Sequence, residues 1–184
     1  MRGEEKEITH MEYVALLRGV NVGGITIRST DLRELFAGLG FDNVRTYLAS
    51  GNVRFTSDAA ERAELKAMTE QALTERFGYE AWIVLVTLDE LRRARDELPF
   101  DSADTSHNSY VIFCADGATR DALMQKYHEL PHGEERVLPG PGVVYWNVPV
   151  VDTTRSPFGK ELGRAAWKRT TTNRNIRTVN KIAA

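Results

Sequence analysis

A single cysteine, Cys114, is all the chain has. That excludes an internal disulfide and a four-cysteine zinc site, and the absence of a disulfide framework makes the cytoplasm the expected location. Long apolar runs are missing too. The run 83–86 is far short of the roughly 20 residues that a membrane helix needs, so no membrane association is expected. Residues 1–10 are charged, lack the apolar core of a signal peptide, and read as a flexible polar arm. Charge of one sign is scarce overall, with 26 acids against 24 bases and a formal net charge of −2. What is present is ordinary for a globular protein: 184 residues, 42% hydrophobic and 27% charged, enough for one medium domain or two small ones.

The small net charge hides an asymmetry. Residues 153–184 hold Arg155, Lys160, Arg164, Lys168, Arg169, Arg174, Arg177 and Lys181 against the one acid Glu161, an excess of +7. The remainder of the chain therefore sums to −9. A basic end on an acidic body suggests either an anionic partner or internal neutralisation.

Hydrophobic spacing gives the architecture. Residues 13–17 read as a buried strand, and 18–28 as a loop holding Gly19, Gly23 and Gly24. Leu32, Leu35, Phe36 and Leu39 recur at helical spacing, with Asp31 and Glu34 placed for a capping box and Gly40 for the stop. Strands 44–48 and 52–55 flank a Ser50-Gly51 turn. Asp58 and Glu61 open a second helix whose buried face is Leu65, Met68, Ala72 and Leu73, and residues 82–86 form a fourth strand. Strand, helix, strand, strand, helix, strand is the split βαβ, ferredoxin-like order. Thr87 and Glu90 open a short helix to about Arg95, and 99–108 reads as a linker. The pattern then partly repeats, with a strand at 110–114, a helix at 119–127 and a hairpin of 135–138 with 143–148. A basic helix at 157–168 and a last strand at 176–179 complete it. The expected fold class is α+β, with two ferredoxin-like units at 11–98 and 108–184, the second less regular.

Two motifs match by letters and fail by physics. His128-Glu129-Leu130-Pro131-His132 has the zinc-protease spacing, but Pro131 breaks the helix that would face both histidines to one metal. Phe158-Gly159-Lys160 lacks the earlier glycine and the following hydroxyl of a phosphate-binding loop. Cys114 sits in an apolar strand and reads as a small buried hydrophobe. No metal site or cofactor is expected, and no residue stands out as a catalytic acid or base.

Three segments remain. Arg18-Gly19-Val20-Asn21-Val22-Gly23-Gly24 follows a strand and precedes a helix, so its amides could form an anion-binding concavity beside a guanidinium, or merely a tight turn. Tyr47-Leu48-Ala49-Ser50-Gly51-Asn52 reads first as a hairpin turn, with Asn52 able to present an amide. The basic end places Lys160, Arg164 and Lys168 at four-residue spacing, one charged stripe on a helix. Arg174, Asn175, Arg177 and Lys181 follow, a mixture that donates to phosphates, sugars or base edges.

Arg18 to Gly24, Ser50-Gly51-Asn52-Val53, and Arg174-Asn175 through Thr178-Val179-Asn180-Lys181 resemble the bacterial family catalogued as domain of unknown function 1697, from about Met11 to Ile182. The resemblance implies two ferredoxin-like α+β units and supplies no function or catalytic residue. Many relatives carry tryptophan where this chain has Ile176, which favours a packing role there over base stacking.

The first expectation is a protein that binds an anionic partner, nucleic acid foremost, through Arg18, Asn21, Gly23, Gly24, Asn52, Arg155, Lys160, Arg164, Arg174, Asn175, Arg177 and Lys181. The alternative is an enzyme or binder for a small phosphorylated or carboxylated molecule held at Arg18. A third reading is a regulatory module that forms a homodimer through a sheet edge. Whether the glycine loop and the basic end share one site decides between the first two.

Overall fold

The computed structural model describes residues 10–20, 24–48, 51–58 and 61–184. β1 (Met11–Arg18), α1 (Ser29–Gly38), β2 (Asp42–Thr46), β3 (Asn52–Ser57), α2 (Arg62–Phe77) and β4 (Trp82–Thr87) come in the expected order. They form an antiparallel sheet in the order β2-β3-β1-β4. After α3 (Leu88–Asp96), the strands β5 (His107–Cys114), β6 (Arg136–Gly140), β7 (Val143–Pro149) and β8 (Thr171–Asn175) form a second antiparallel sheet, in the order β6-β7-β5-β8. The class is α+β, and the two strand orders correspond position for position, which is consistent with the ferredoxin-like expectation.

The period-2 alternation of the strands sorts their side chains into three cores. Tyr13, Ala15 and Leu17 face α1 and α2 together with Phe36, Phe55 and Leu65. Val14, Leu16, Val84 and Val86 turn the other way and meet Val111, Phe113, Val143 and Tyr145 of the second sheet. Ile112, Val144, Trp146 and Val148 pack outward, against α4 (Gly117–Glu129) and α5 (Pro157–Leu162). The sheets therefore stack face to face, with α3 and α6 (Ile176–Ala183) contributing Leu91, Val179 and Ile182 to the layer between them. This double coverage explains why β1 and β4 are apolar almost throughout.

Several local expectations change. α3 has its capping box, with the Thr87 hydroxyl accepting from the Glu90 amide. α1 does not: Arg28 occupies the cap position, and Asp31 lies in the first turn bonded to the Arg28 guanidinium. Glu61 caps α2 without a side-chain bond, and Met68 is exposed, because the buried stripe runs Leu65, Thr69, Leu73. The basic helix predicted over 157–168 ends at Leu162, and only the 3-10 turn Ala165–Trp167 follows. Lys160, Arg164 and Lys168 thus do not form a helical stripe.

The predicted last strand is the start of α6. Asn175 caps it by accepting from the Arg177 amide at 3.0 Å, and Ile176, Val179, Ile182 and Ala183 are buried along one face. The helical period outweighs the short β-branched run. The strand itself lies just before it, at Thr171–Asn175.

Candidate functional site

The three segments singled out in the sequence converge on Arg174. Its side chain stands on the face of β8 that is turned toward the first sheet. Nε donates to Asn52 Oδ1 at 2.6 Å, Nη1 to Thr172 Oγ1 at 2.7 Å and Asn173 O at 2.8 Å, and Nη2 to Leu17 O at 2.7 Å and Gly51 O at 2.9 Å. All five guanidinium donors are used, every one on a neutral acceptor. Asn52 is buried, and its amide nitrogen donates to Tyr47 O at 3.1 Å. Gly51 holds φ at +105°, a value that favours glycine, and this turns its carbonyl toward both Arg174 and the Leu17 amide. Arg174 and Asn52 therefore fasten the two sheets to each other, and Arg174 keeps no donor for a ligand.

Arg18, at the end of β1, is the second guanidinium of this junction. Nη1 donates to Thr171 O at 2.8 Å and Thr171 Oγ1 at 3.1 Å, and Nη2 to Leu162 O at 3.1 Å. Those three bonds leave two of five donors without an acceptor among the described residues. Neither arginine forms an ion pair with a described carboxylate. Burial pushes the Arg174 pKa down to about 10, and the positive charge of Arg18 adds to the fall. Burial lowers the pKa of Arg18 as well. Two repelling cations with no described anion between them carry an electrostatic cost, which an incoming anion would offset. Next to them, Trp82 pairs with Arg18 across β1 and β4, and its indole N–H is buried without a partner among the described residues. The Arg169 guanidinium lies 4.6 Å from the centre of the Trp82 ring and meets Glu80 at 3.4 Å.

Arg18 reaches past the edge of β8 into a cavity of about 340 Å³ on the outer face of the second sheet. Tyr110, Trp146, Thr154, Thr171 and Asn173 line it, and among the described residues no carboxylate does. Gly159 also lines it, where a Cβ would come within 2.6 Å of Thr153 O, so this wall needs glycine.

The other expected residues scatter. Asn21 and Gly23 lie outside the described residues. Gly24 is exposed with φ +90°. Arg164 pairs with the buried Glu161 at 3.1 Å. Arg155 lines a different cavity, beside Ser156 and Pro157. Lys160 and Lys181 are exposed and make no ion pair with described residues. Asn175 and Arg177 line a further cavity of about 470 Å³ together with His107, whose Nδ1 lies 2.9 Å from Asp104 Oδ2. That pair sits in the stretch read as a linker, and its spacing of three was the signal available. Tyr110 and Trp146 were also missed: each reads as strand filling, and only the fold turns them toward Arg18. Among the described residues, no group of three or more His, Cys, Asp or Glu side chains is placed to hold a metal, and no helix is long and apolar enough to cross a membrane.

The stacked sheets and the arginine junction define an α+β protein whose sequence motifs build the contact between its two halves. The chain belongs to the family described as protein of unknown function (DUF1697), which matches residues 11–145. Arg174 lies beyond that match, whereas its partners Leu17, Gly51 and Asn52 lie within it. Among solved structures, the chain is similar to the conserved bacterial protein SP0830 from Streptococcus pneumoniae, at 25% identity and a TM-score of 0.80, over 95% of this chain and 98% of that one. An unknown protein from Galdieria sulphuraria aligns over 91% of this chain and 98% of its own at 13% identity, but its TM-score of 0.29 carries no argument. No curated protein matches the chain.

Proposed function

We propose that this protein binds a small phosphorylated or carboxylated molecule in the cavity beside Arg18. The observation that carries the reading is a guanidinium with two donors that meet no acceptor among the described residues, lining a cavity with no described carboxylate and standing next to a second cation that no described carboxylate pairs. A planar fork of N–H groups is the geometry that grips phosphate or carboxylate in two-point fashion. Thr154, Thr171 and Asn173 add hydroxyl and amide groups around the same space. A cavity of about 340 Å³ falls in the range of roughly 300–1,000 Å³ typical of small-molecule sites.

Nucleic acid is the weaker reading for this chain. It drew on a continuous basic stripe, and α5 ends before Arg164. Arg164 and Arg169 pair with acids, and Arg174 serves the protein's own backbone.

Thermal-shift titration with inorganic phosphate, ribose 5-phosphate and dicarboxylates tests the proposal. A saturable rise in melting temperature with at least one of them, much reduced in Arg18→Gln, is the expected result. An unchanged melting temperature with every compound overturns it.

A further inference from the structure

We infer that the ligand at this site carries a planar aromatic ring as well as its anionic group, which makes it a mononucleotide-class compound. The inference rests on the anion-binding reading above and adds the chemistry of the cavity wall opposite the charge. Tyr110 and Trp146 stack with ring centroids 5.0 Å apart and planes 28° from parallel. Trp146 is buried at 2% exposure, and its indole N–H is committed to Glu135 at 2.9 Å, so the pair is held from behind. Tyr110 keeps partial exposure, lines the cavity, and makes no hydrogen bond through its hydroxyl among the described residues. It therefore presents a preorganised aromatic surface, of the kind on which nucleobases stack.

Asn173 supplies the polar complement. It projects from β8 on the same sheet face as Ile112, its cross-strand partner, and the residue is exposed. Its side-chain amide has no partner among the described residues, so it offers both a donor and an acceptor, the pair that reads the edge of a base. Arg18 lines the same cavity, so charge and ring would be met within one small volume. About 340 Å³ lies near the lower end of the usual range, which suits one ring and one phosphate better than a dinucleotide cofactor. The strand positions fit this division of labour: Tyr110 and Ile112 alternate outward on β5, and Thr171 and Asn173 outward on the neighbouring β8.

Calorimetric titration with adenosine 5′-monophosphate, uridine 5′-monophosphate, ribose 5-phosphate and adenosine tests the inference. At least one nucleotide should bind about tenfold or more tighter than ribose 5-phosphate, within the range that stacking a single base contributes. Tyr110→Leu should remove that preference for nucleotides over ribose 5-phosphate, while Arg18→Gln weakens both phosphates. Should Tyr110→Leu fail to fold, the ligand ranking in the unaltered protein and in Asn173→Ala still decides, because Asn173 is exposed and outside the cores. Equal affinity for nucleotides and ribose 5-phosphate overturns the ring and leaves the anion site standing. Absence of binding by every phosphate overturns both. Adenosine binding as tightly as its monophosphate overturns the role of Arg18 and with it the mononucleotide class.

Discussion

At the scale of single residues, Arg174 is the strongest statement in the molecule. A buried cation costs several kcal/mol in lost hydration, and five charge-assisted hydrogen bonds to neutral oxygens offset that cost. Lysine carries the same charge but three donors and no planar fork. Arg174→Lys should therefore lower stability by about 2–5 kcal/mol in urea denaturation. A loss under about 0.5 kcal/mol would show that the junction is dispensable. Cys114 gives a second residue-scale prediction. Burial pushes its thiol up to about 12, which leaves almost no thiolate at pH 8. Iodoacetamide should modify it in urea and leave it intact in the folded protein over the same hours. The sequence made Arg18, Asn52 and Arg174 conspicuous but cast all three as ligand contacts. All five donors of Arg174 are used and two of Arg18 have no acceptor among the described residues, and most of these contacts join residues more than a hundred positions apart, of which local spacing carries no record.

Among the elements, those up to β7 were legible in the sequence, and α5, β8 and α6 at the carboxyl-terminal end were not. Strands β1, β4, β5 and β7 are covered on both faces, so their short apolar runs announced them. α6 was hidden because Ile176 and Val179 fit a strand as well as a helix over four residues, and its identity depends on Ile182 and Ala183 further on. Ile182→Ala should cost about 2–5 kcal/mol, since the side chain is fully buried between the sheets. The adjacent exposed position supplies the contrast: Lys181→Ala should change stability by no more than about 0.5 kcal/mol. Equal effects at the two positions would contradict the helix. The same distinction explains the basic segment. Charge alone suggested one helix from 157 to 168, and Gly163 with Arg164 ends it early, so four-residue spacing no longer means a shared face.

Across the whole molecule, the two sheets share one core. Val14, Leu16 and Val84 meet Val111, Phe113 and Tyr145 there, and the Tyr145 hydroxyl donates to Ala94 O at 2.9 Å. The end of α6 is tied back to the first half, with Arg54 donating to Ala184 O at 3.0 Å and Arg92 to Ala183 O at 3.2 Å. Neither half buries its inner face without the other, so thermal unfolding followed by fluorescence and by circular dichroism should give one coincident transition. Two separated transitions would show independent halves. The class of fold could be read from the chain, while the cavity beside Arg18 could not, because it is assembled from β1, β5, β7, α5 and β8 only after the sheets have stacked.

The central claim is that Arg18 has bonding capacity left for an anion from outside the molecule. Calorimetric titration of ribose 5-phosphate into the unaltered protein, Arg18→Lys and Arg18→Gln tests it most directly, with circular dichroism confirming that each variant is folded. The account predicts saturable one-site binding to the unaltered protein, weaker binding to the lysine variant, and at least about a tenfold loss in the glutamine variant, as removal of a charge-assisted pair implies. Binding of equal strength in all three folded proteins, or in none, would contradict it.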